Sequence, residues 1–149
     1  MRFVNRFGFI PLVIFVMIQC TFNAAWEEID KLKGKVDKDE AKSQLLNAVN
    51  MKSSTCNSYF QPDFNLAYTK TLTGNACYSV GNEFNEKKEM RTCESAYKFV
   101  DKKNLDNCIE EVYTLPCNAF RNGVYASMKI PVFPTCVSAF HTDPSLNYL

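Results

Sequence analysis

Histidine is nearly absent from this chain, and its scarcity limits the chemistry that the protein can perform. His141 is the single imidazole among 149 residues. General-base catalysis, catalytic triads and most zinc sites depend on histidine, so each would have to use this one residue. We expect His141 to be exposed to solvent, with no serine or carboxylate arranged around it. The sequence therefore predicts a protein that is not an enzyme and that needs no cofactor.

The motifs of metal-dependent and nucleophilic enzymes are missing as well. The chain has neither a CxxC nor an HExxH motif, and Ser79 and Ser127 lack the flanking glycines of a nucleophile elbow. Neighbouring acids such as Glu110 and Glu111 point in different directions on a helix, so they do not form a matched acid and base. No metal site is predicted.

The chain also lacks an excess of basic charge. The 17 basic residues fall to 15 when the two arginines of an apolar leader are removed, against 16 acidic residues, which leaves a net charge of −1. Basic and acidic residues alternate instead of clustering, which is typical of solvated helix surfaces. Because a nucleic-acid binder needs a basic face, the composition argues against a nucleic-acid partner.

The N-terminal residues have the features of a secretory leader. Basic residues precede an apolar run from Phe7 to Ile18. The run is shorter than the ~20 residues of a membrane-spanning helix and has the layout of a secretory signal. We interpret residues 1–25 as a signal peptide cleaved after Ala25. Cleavage near Cys20 and an uncleaved signal anchor are the alternatives.

Cleavage changes the cysteine count from seven to six, because Cys20 is removed. An even number in a secreted chain indicates a disulfide framework, here of three bonds among Cys56, Cys77, Cys93, Cys108, Cys117 and Cys136. Six cysteines allow about 15 pairings. We argue only against a Cys108–Cys117 bond, since nine residues along one helix and turn leave the two at different levels.

The cysteine intervals do not point to a known family. They are 20, 15, 14, 8 and 18 residues. Several families of small secreted helical proteins that carry hydrophobic ligands have a pair of cysteines much closer together. The spacing therefore identifies no relative.

Apolar residues recur at helical spacing through Thr73–Met128. The pattern from Met90 to Val100 predicts one amphipathic helix with Cys93 on its buried face. The same spacing predicts further helices that contain the other cysteines of this block, which are Cys77, Cys108 and Cys117. We expect the domain to be organised around these helices.

Helices are also predicted before this block. One apolar stripe consists of Trp26, Ile29, Leu32 or Lys33, and Val36, and a second follows Asp37. These are either two short helices or one bent helix, and we favour a single stretch with a kink near Asp37. A further helix over 62–72 begins with a proline, which suits a first helical position.

The C-terminal part has fewer signals. Residues 130–134 are expected to be extended, leading to Cys136, which we expect to be tied back against the helices. The tail, 141–149, is expected to be loose. Because strand-like alternation is scarce, an all-α fold is favoured over a β-sandwich. The prediction is one disulfide-stapled, monomeric domain over 26–149, with about four to six helices and no stable membrane insertion.

Aromatic residues are abundant, with 7 Tyr and 12 Phe in the chain. They could fill the core, or they could line an apolar cavity between helices. The candidate ligand-binding residues are Tyr68, Tyr78, Phe84, Tyr97, Tyr113 and Phe120.

Two functions are compatible with these observations. The first is a secreted, non-catalytic binding protein that acts on an extracellular protein through its surface. The alternative is a carrier of a small hydrophobic ligand, such as a lipid or sterol, in a cavity lined by aromatic residues. An exposed apolar patch would favour the first, and an apolar pocket of at least about 300 Å³ would favour the second.

Overall fold

The computed structural model describes residues 22–56, 62–74, 76–77, 84–120 and 133–142, and for residues 62–64 the backbone alone. Most of the predicted signal peptide, 1–25, lies outside the described residues. The described part is mostly helical and contains one two-stranded sheet.

The helices of the described part are α1 (residues 22–32), α2 (Lys38–Thr55), α3 (Pro62–Leu72), α4 (Glu86–Glu89), α5 (Cys93–Ala96), α6 (Lys102–Thr114) and α7 (Pro134–Phe140). Residues 76–77 and 117–120 are also helical. The strands are β1 (Lys35–Asp37) and β2 (Phe99–Asp101). The helices are therefore shorter and more numerous than the predicted four to six, and the fold is not purely α.

Each strand ends in an aspartate that starts the next helix. Asp37 Oδ1 accepts a hydrogen bond from the backbone N–H of Asp39 at 2.8 Å, in the first turn of α2. Asp101 Oδ1 accepts one from the backbone N–H of Asn104 at 3.2 Å, in the first turn of α6. Such N-caps satisfy helix donors that have no partner within the helix. Because β1 and β2 pair antiparallel, the sheet fixes where the two longest helices begin relative to each other.

Strand β1 replaces the kink predicted near Asp37. Gly34 has a φ of +73°, in the left-handed region that glycine enters without steric cost, and it follows the end of α1. Val36 then pairs with Val100 across the sheet. The prediction of one kinked helical stretch is therefore wrong, and α1 and α2 are separate helices.

The single helix predicted from Met90 to Val100 is also wrong. Met90 has a φ of 54° and ends α4. Thr92 Oγ1 then accepts a hydrogen bond from the backbone N–H of Ser95 at 3.2 Å, which caps α5. After α5 the chain enters β2, which pairs with β1 instead of continuing as a helix. Apolar residues do recur at helical spacing here, but the backbone forms two separate single turns, α4 before Met90 and α5 after it.

The hydrophobic core lies where α2, α3, α6 and α7 meet. Leu45 of α2 and Leu105 of α6 have no exposed surface, and Leu72 of α3 and Phe140 of α7 are 1% and 2% exposed. Burying a side chain of this size contributes roughly 1.5–3 kcal/mol. The prediction of a helix over 62–72 is confirmed by α3, which supplies part of this core.

Three disulfides hold these helices together. They join Cys56 to Cys117, Cys77 to Cys93 and Cys108 to Cys136. The predicted set of three bonds is confirmed, as are the argument against a Cys108–Cys117 bond and the expectation that Cys136 is tied back against the helices. Three intramolecular disulfides are typical of proteins that mature in an oxidising compartment.

The end of the described chain is more ordered than predicted. Pro134 begins α7 instead of continuing an extended segment, because proline is well suited to the first turn of a helix. Thr142 is 5% exposed, and its Oγ1 donates a hydrogen bond to the carbonyl of Leu72 at 2.7 Å. The chain is thus held beyond position 141, where the loose tail was predicted to begin. Residues 143–149 lie outside the described residues.

Candidate functional site

Helix α1 turns its polar side toward the rest of the protein. Asn23, Glu27 and Asp30 are spaced by four and three residues, which places them on one side of a helix. Within residues 22–32, Asp30 alone is buried, with 2% of its surface exposed. A helix that packs through a carboxylate needs compensating partners, because an unpaired buried charge is strongly unfavourable.

Two cations compensate the charge of Asp30. Lys35 Nζ lies 2.6 Å from its Oδ1, and an Arg91 guanidinium nitrogen lies 3.1 Å from its Oδ2. The Arg91 guanidinium also lies 5.1 Å from the centre of the Trp26 ring, in a cation–π contact. These contacts connect α1 to β1 and to the segment between α4 and α5.

Two further polar contacts fix the rest of this side. Glu27 pairs with Lys98 at 2.8 Å, and Asn23 Oδ1 accepts a hydrogen bond from the backbone N–H of Thr92 at 3.3 Å. The described part of α1 is thus attached mainly through charged and polar groups. This distinguishes it from the helices of the core.

The opposite side of α1 is apolar and faces solvent. We define the outer face of α1 as Ile29 and Leu32, which are 37% and 87% exposed; Phe22 is 46% exposed but belongs to the predicted signal peptide, so it is not included. Ile29 and Leu32 belong to the predicted apolar stripe and are exposed, whereas Trp26 and Val36 of the same stripe are half-buried. The reason is Asp30, whose two cationic partners lie in the body of the protein and determine which side of α1 faces inward. A surface helix normally has the reverse arrangement.

A cleft of about 1020 Å³ opens beside α1, and helices α1, α2, α3 and α5 contribute to its walls. Leu46 and Leu66 line it, and most of the other lining residues are polar or charged. Four lysines and four carboxylates line it, namely Lys38, Lys42, Lys70 and Lys98 with Glu27, Asp37, Asp39 and Glu94. The charges of the cleft therefore balance.

Most of the charged groups in the cleft have partners. Lys42 pairs with Asp39 at 3.0 Å, and this hydrogen bond, together with the charge of Lys42, lowers the pKa of Asp39. Lys38 Nζ donates to the carbonyl of Gly74 at 2.7 Å, and burial lowers the pKa of Lys38, with the charge of Lys42 adding to the effect. These contacts keep α2 and the end of α3 together at one end of the cleft.

The six predicted ligand-binding residues are not gathered around one cavity. Tyr68 and Phe120 are 2% and 1% exposed and belong to the core. Tyr113 is 44% exposed, and its hydroxyl lies 3.5 Å from the sulfur of Met51. Tyr78 lies outside the described residues.

Phe84 and Tyr97 are the two predicted ligand-binding residues that the structure brings together. Their ring centres lie 5.8 Å apart in an edge arrangement, and Tyr97 also lines the cleft. His141 packs on Tyr97, with ring centres 5.0 Å apart. One aromatic ring of the predicted set thus reaches the cleft wall.

His141 is exposed, as predicted, and it ends α7 with a φ of 52°. Partial burial lowers the pKa of its imidazole, and the positive charges of Lys38 and Lys35 lower the pKa further. No serine or carboxylate of the described residues is hydrogen-bonded to the ring. The imidazole is therefore kept neutral to lower pH than a free histidine would be.

The part of the chain that the structure describes contains no group of three or more histidine, cysteine, aspartate or glutamate residues that could hold a metal ion. Within that same part, every helix is too short or too polar to cross a bilayer. The site to be explained thus consists of the outer face of α1 and the cleft beside it.

Comparison with known proteins identifies no relative. No family model, no curated protein and no solved structure matches the chain. The function is therefore argued from the arrangement of the residues themselves.

The sequence also contains a polar pattern that indicates the orientation of α1, but the prediction relied on the apolar stripe instead. Asn23, Glu27 and Asp30 form a polar stripe on the side of the helix opposite the outer face. Either stripe could face inward on periodicity alone. What decided between them was the position of Lys35 and Arg91 in the folded chain, which helical spacing does not reveal.

Proposed function

We propose that the protein is a secreted, non-catalytic binding protein that contacts an extracellular protein partner through the outer face of α1. The observation that carries this proposal is the orientation of the helix. Its polar side is engaged with the body of the protein, and Leu32, the last residue of the helix, is left 87% exposed on the apolar side. The three disulfides support the extracellular setting.

Burial of this face by a partner would be favourable. Removing a leucine or isoleucine side chain from water contributes roughly 1.5–3 kcal/mol when burial is complete. Ile29 and Leu32 are three residues apart, which places both on one side of α1, and a helix with an apolar side suits the groove of another protein. Exposed apolar side chains on one helix face are thus a surface that a partner can recognise.

The border of the face favours a protein partner over a lipid surface. Glu28 and Lys31 lie beside it and form an exposed ion pair at 2.8 Å. Helices that lie on membranes are usually flanked by lysine and arginine, whereas protein interfaces have polar rims of both charge signs. Glu28, with 70% of its side chain exposed, would oppose an anionic membrane.

A carrier of a small hydrophobic ligand remains the alternative, with less support. The cleft exceeds the volume that a small ligand needs. However, lysines and carboxylates line it, and an apolar ligand would remove these groups from water without replacing their hydrogen bonds. Tyr68, Phe120 and Tyr113 lie elsewhere.

The test uses a photo-crosslinking side chain at Leu32, with Met51 as the matched control. Met51 is 60% exposed on α2 and is not part of the outer face. We expect one extracellular protein to crosslink from position 32 and not from position 51. With that partner purified, Leu32→Glu should raise the Kd at least about tenfold, whereas Met51→Glu should leave it unchanged.

Three results would contradict the proposal. They are equal crosslinking from both positions, a Kd that Leu32→Glu does not change, and crosslinking only to lipid or to a second copy of the chain. Both variants alter exposed side chains, so thermal unfolding should confirm that each retains the wild-type midpoint.

A further inference from the structure

Two buried hydroxyl groups in the cleft wall have no hydrogen-bond partner among the residues that the structure describes. They are Thr69 Oγ1 on α3 and Ser95 Oγ on α5, in residues that are 3% and 7% exposed. Leaving a buried hydroxyl unpaired costs about 1–3 kcal/mol, so native proteins retain few of them. Both residues line the same cleft, which suggests a shared reason for the cost.

Each unpaired hydroxyl has an uncompensated charge next to it in the sequence. Lys70 follows Thr69, Glu94 precedes Ser95, and both charged residues line the cleft. Among the residues that the structure describes, neither Lys70 nor Glu94 has an ionic partner, in contrast to the pairs that Asp39 and Glu27 form. The cleft thus has a cationic pole (Thr69 and Lys70) and an anionic pole (Ser95 and Glu94).

A disulfide attaches the helix of the anionic pole to another part of the cleft lining. Cys77 follows α3 and lines the cleft, and Cys93 is the first residue of α5. Their bond attaches the segment at residues 76–77 to α5, the helix that carries Ser95. Preorganised groups of this kind bind a ligand without first having to be ordered.

We propose that the cleft binds a short peptide with free termini. Its carboxylate accepts hydrogen bonds from the Thr69 hydroxyl and the Lys70 ammonium group. Its terminal ammonium group donates to Ser95 Oγ and to the Glu94 carboxylate. Both residues line the cleft, and in this proposal a change of χ1 to another staggered rotamer presents each hydroxyl to the ligand.

The size and charge of the cleft favour this ligand class. A volume of about 1020 Å³ is at the upper end of small-ligand pockets and accommodates several residues rather than one amino acid. A simple anion would lie among four carboxylates, and a neutral ligand would leave Lys70 and Glu94 without partners. A dipolar ligand satisfies both poles together.

The test measures binding of trialanine by calorimetry, with N-acetylated, C-amidated and single-alanine forms as probes. We expect trialanine to bind, and each blocked form to bind at least about tenfold more weakly. Lys70→Gln should weaken binding of trialanine about tenfold but should not weaken the amidated form further. Glu94→Gln should show the same relation with the acetylated form.

Matched controls lie on α6. Lys103→Gln and Glu110→Gln change exposed residues outside the cleft and should bind trialanine as the wild type does. Leu32→Glu should also bind it normally, because this site is independent of the outer face of α1. The proposal is overturned if trialanine gives no heat at millimolar concentration, if the blocked forms bind equally well, or if alanine alone binds as tightly.

Discussion

Two sides of this molecule are each stabilised by a different kind of interaction. On the core side, formed by α2, α3, α6 and α7, large apolar residues such as Leu45 and Leu105 are fully buried. On the α1 side, formed by α1, β1, α4, α5 and β2, the buried residue of α1 is a carboxylate with two cationic partners. Salt screens and weakens ion pairs with partly exposed partners, whereas this screening does not weaken the burial of apolar surface. The two sides should therefore respond differently to mutation, salt and pH.

The largest effect is expected in the core. Leu105→Ala should lower the free energy of unfolding by about 2–5 kcal/mol, because it removes a fully buried side chain and leaves a cavity. Leu32→Ala on α1 is the matched control and should change it by less than about 0.5 kcal/mol. Urea unfolding with the disulfides intact measures both. Similar losses in the two variants would show that the outer face of α1 is packed.

An intermediate effect is expected at the ion-paired carboxylate of α1. Asp30→Asn should cost about 1–3 kcal/mol, because Lys35 and Arg91 lose their partner but keep some contact with water. The loss should be local, so hydrogen exchange should quicken in residues 26–32 and stay unchanged in α6.

The matched control for this change is an exposed pair on the core side. Asp106 pairs with Lys102 at 2.9 Å on the surface of α6, and Asp106→Asn should cost no more than about 0.5 kcal/mol. If Asp30→Asn is no more costly than this, or if exchange quickens equally in α6, the contrast between the two sides fails.

The smallest effect concerns His141, at the junction of the two sides. Its pKa is lowered in the folded state by partial burial and by Lys38 and Lys35. The unfolded chain then binds more protons near pH 6.5, so the contribution is fully present above that pH and is lost as the pH falls through 6.5 toward the folded pKa.

His141→Asn should remove this contribution while keeping a residue that tolerates the φ of 52°. The fall in thermal midpoint between pH 7.5 and pH 5.5 should be smaller in the variant than in the wild type. The corresponding difference in the free energy of unfolding should stay below about 0.5 kcal/mol, because the ring is partly exposed to water. Identical pH profiles would mean that Tyr97, Lys38 and Lys35 do not control the imidazole.

Local signals predicted the core side better than the α1 side. The proline at position 62 and the apolar spacing after it predicted α3 with its observed bounds. The even cysteine count predicted three bonds, but pairing depends on which helices pack together, so the sequence left the partners open.

The sheet was missed because its strands are too short to show alternation. β1 and β2 have three residues each, and Lys35 pairs with Asp101, which is far away in the sequence. Strand pairing is decided by tertiary contacts more than by local preference. The same limit applied to the site, since Asp30 determined the orientation of α1 through partners that lie on other elements.

The disulfides also divide the chain into a closed part and an open part. The Cys56–Cys117 and Cys108–Cys136 bonds enclose overlapping loops, so every peptide bond between positions 56 and 136 lies within a covalent ring. A protease that cuts once in that region leaves a nicked but undivided molecule. Helix α1 lies outside the rings, and one cut after Lys33 would separate it from the disulfide-bonded body. The outer face of α1 is therefore the surface that a single proteolytic event can remove.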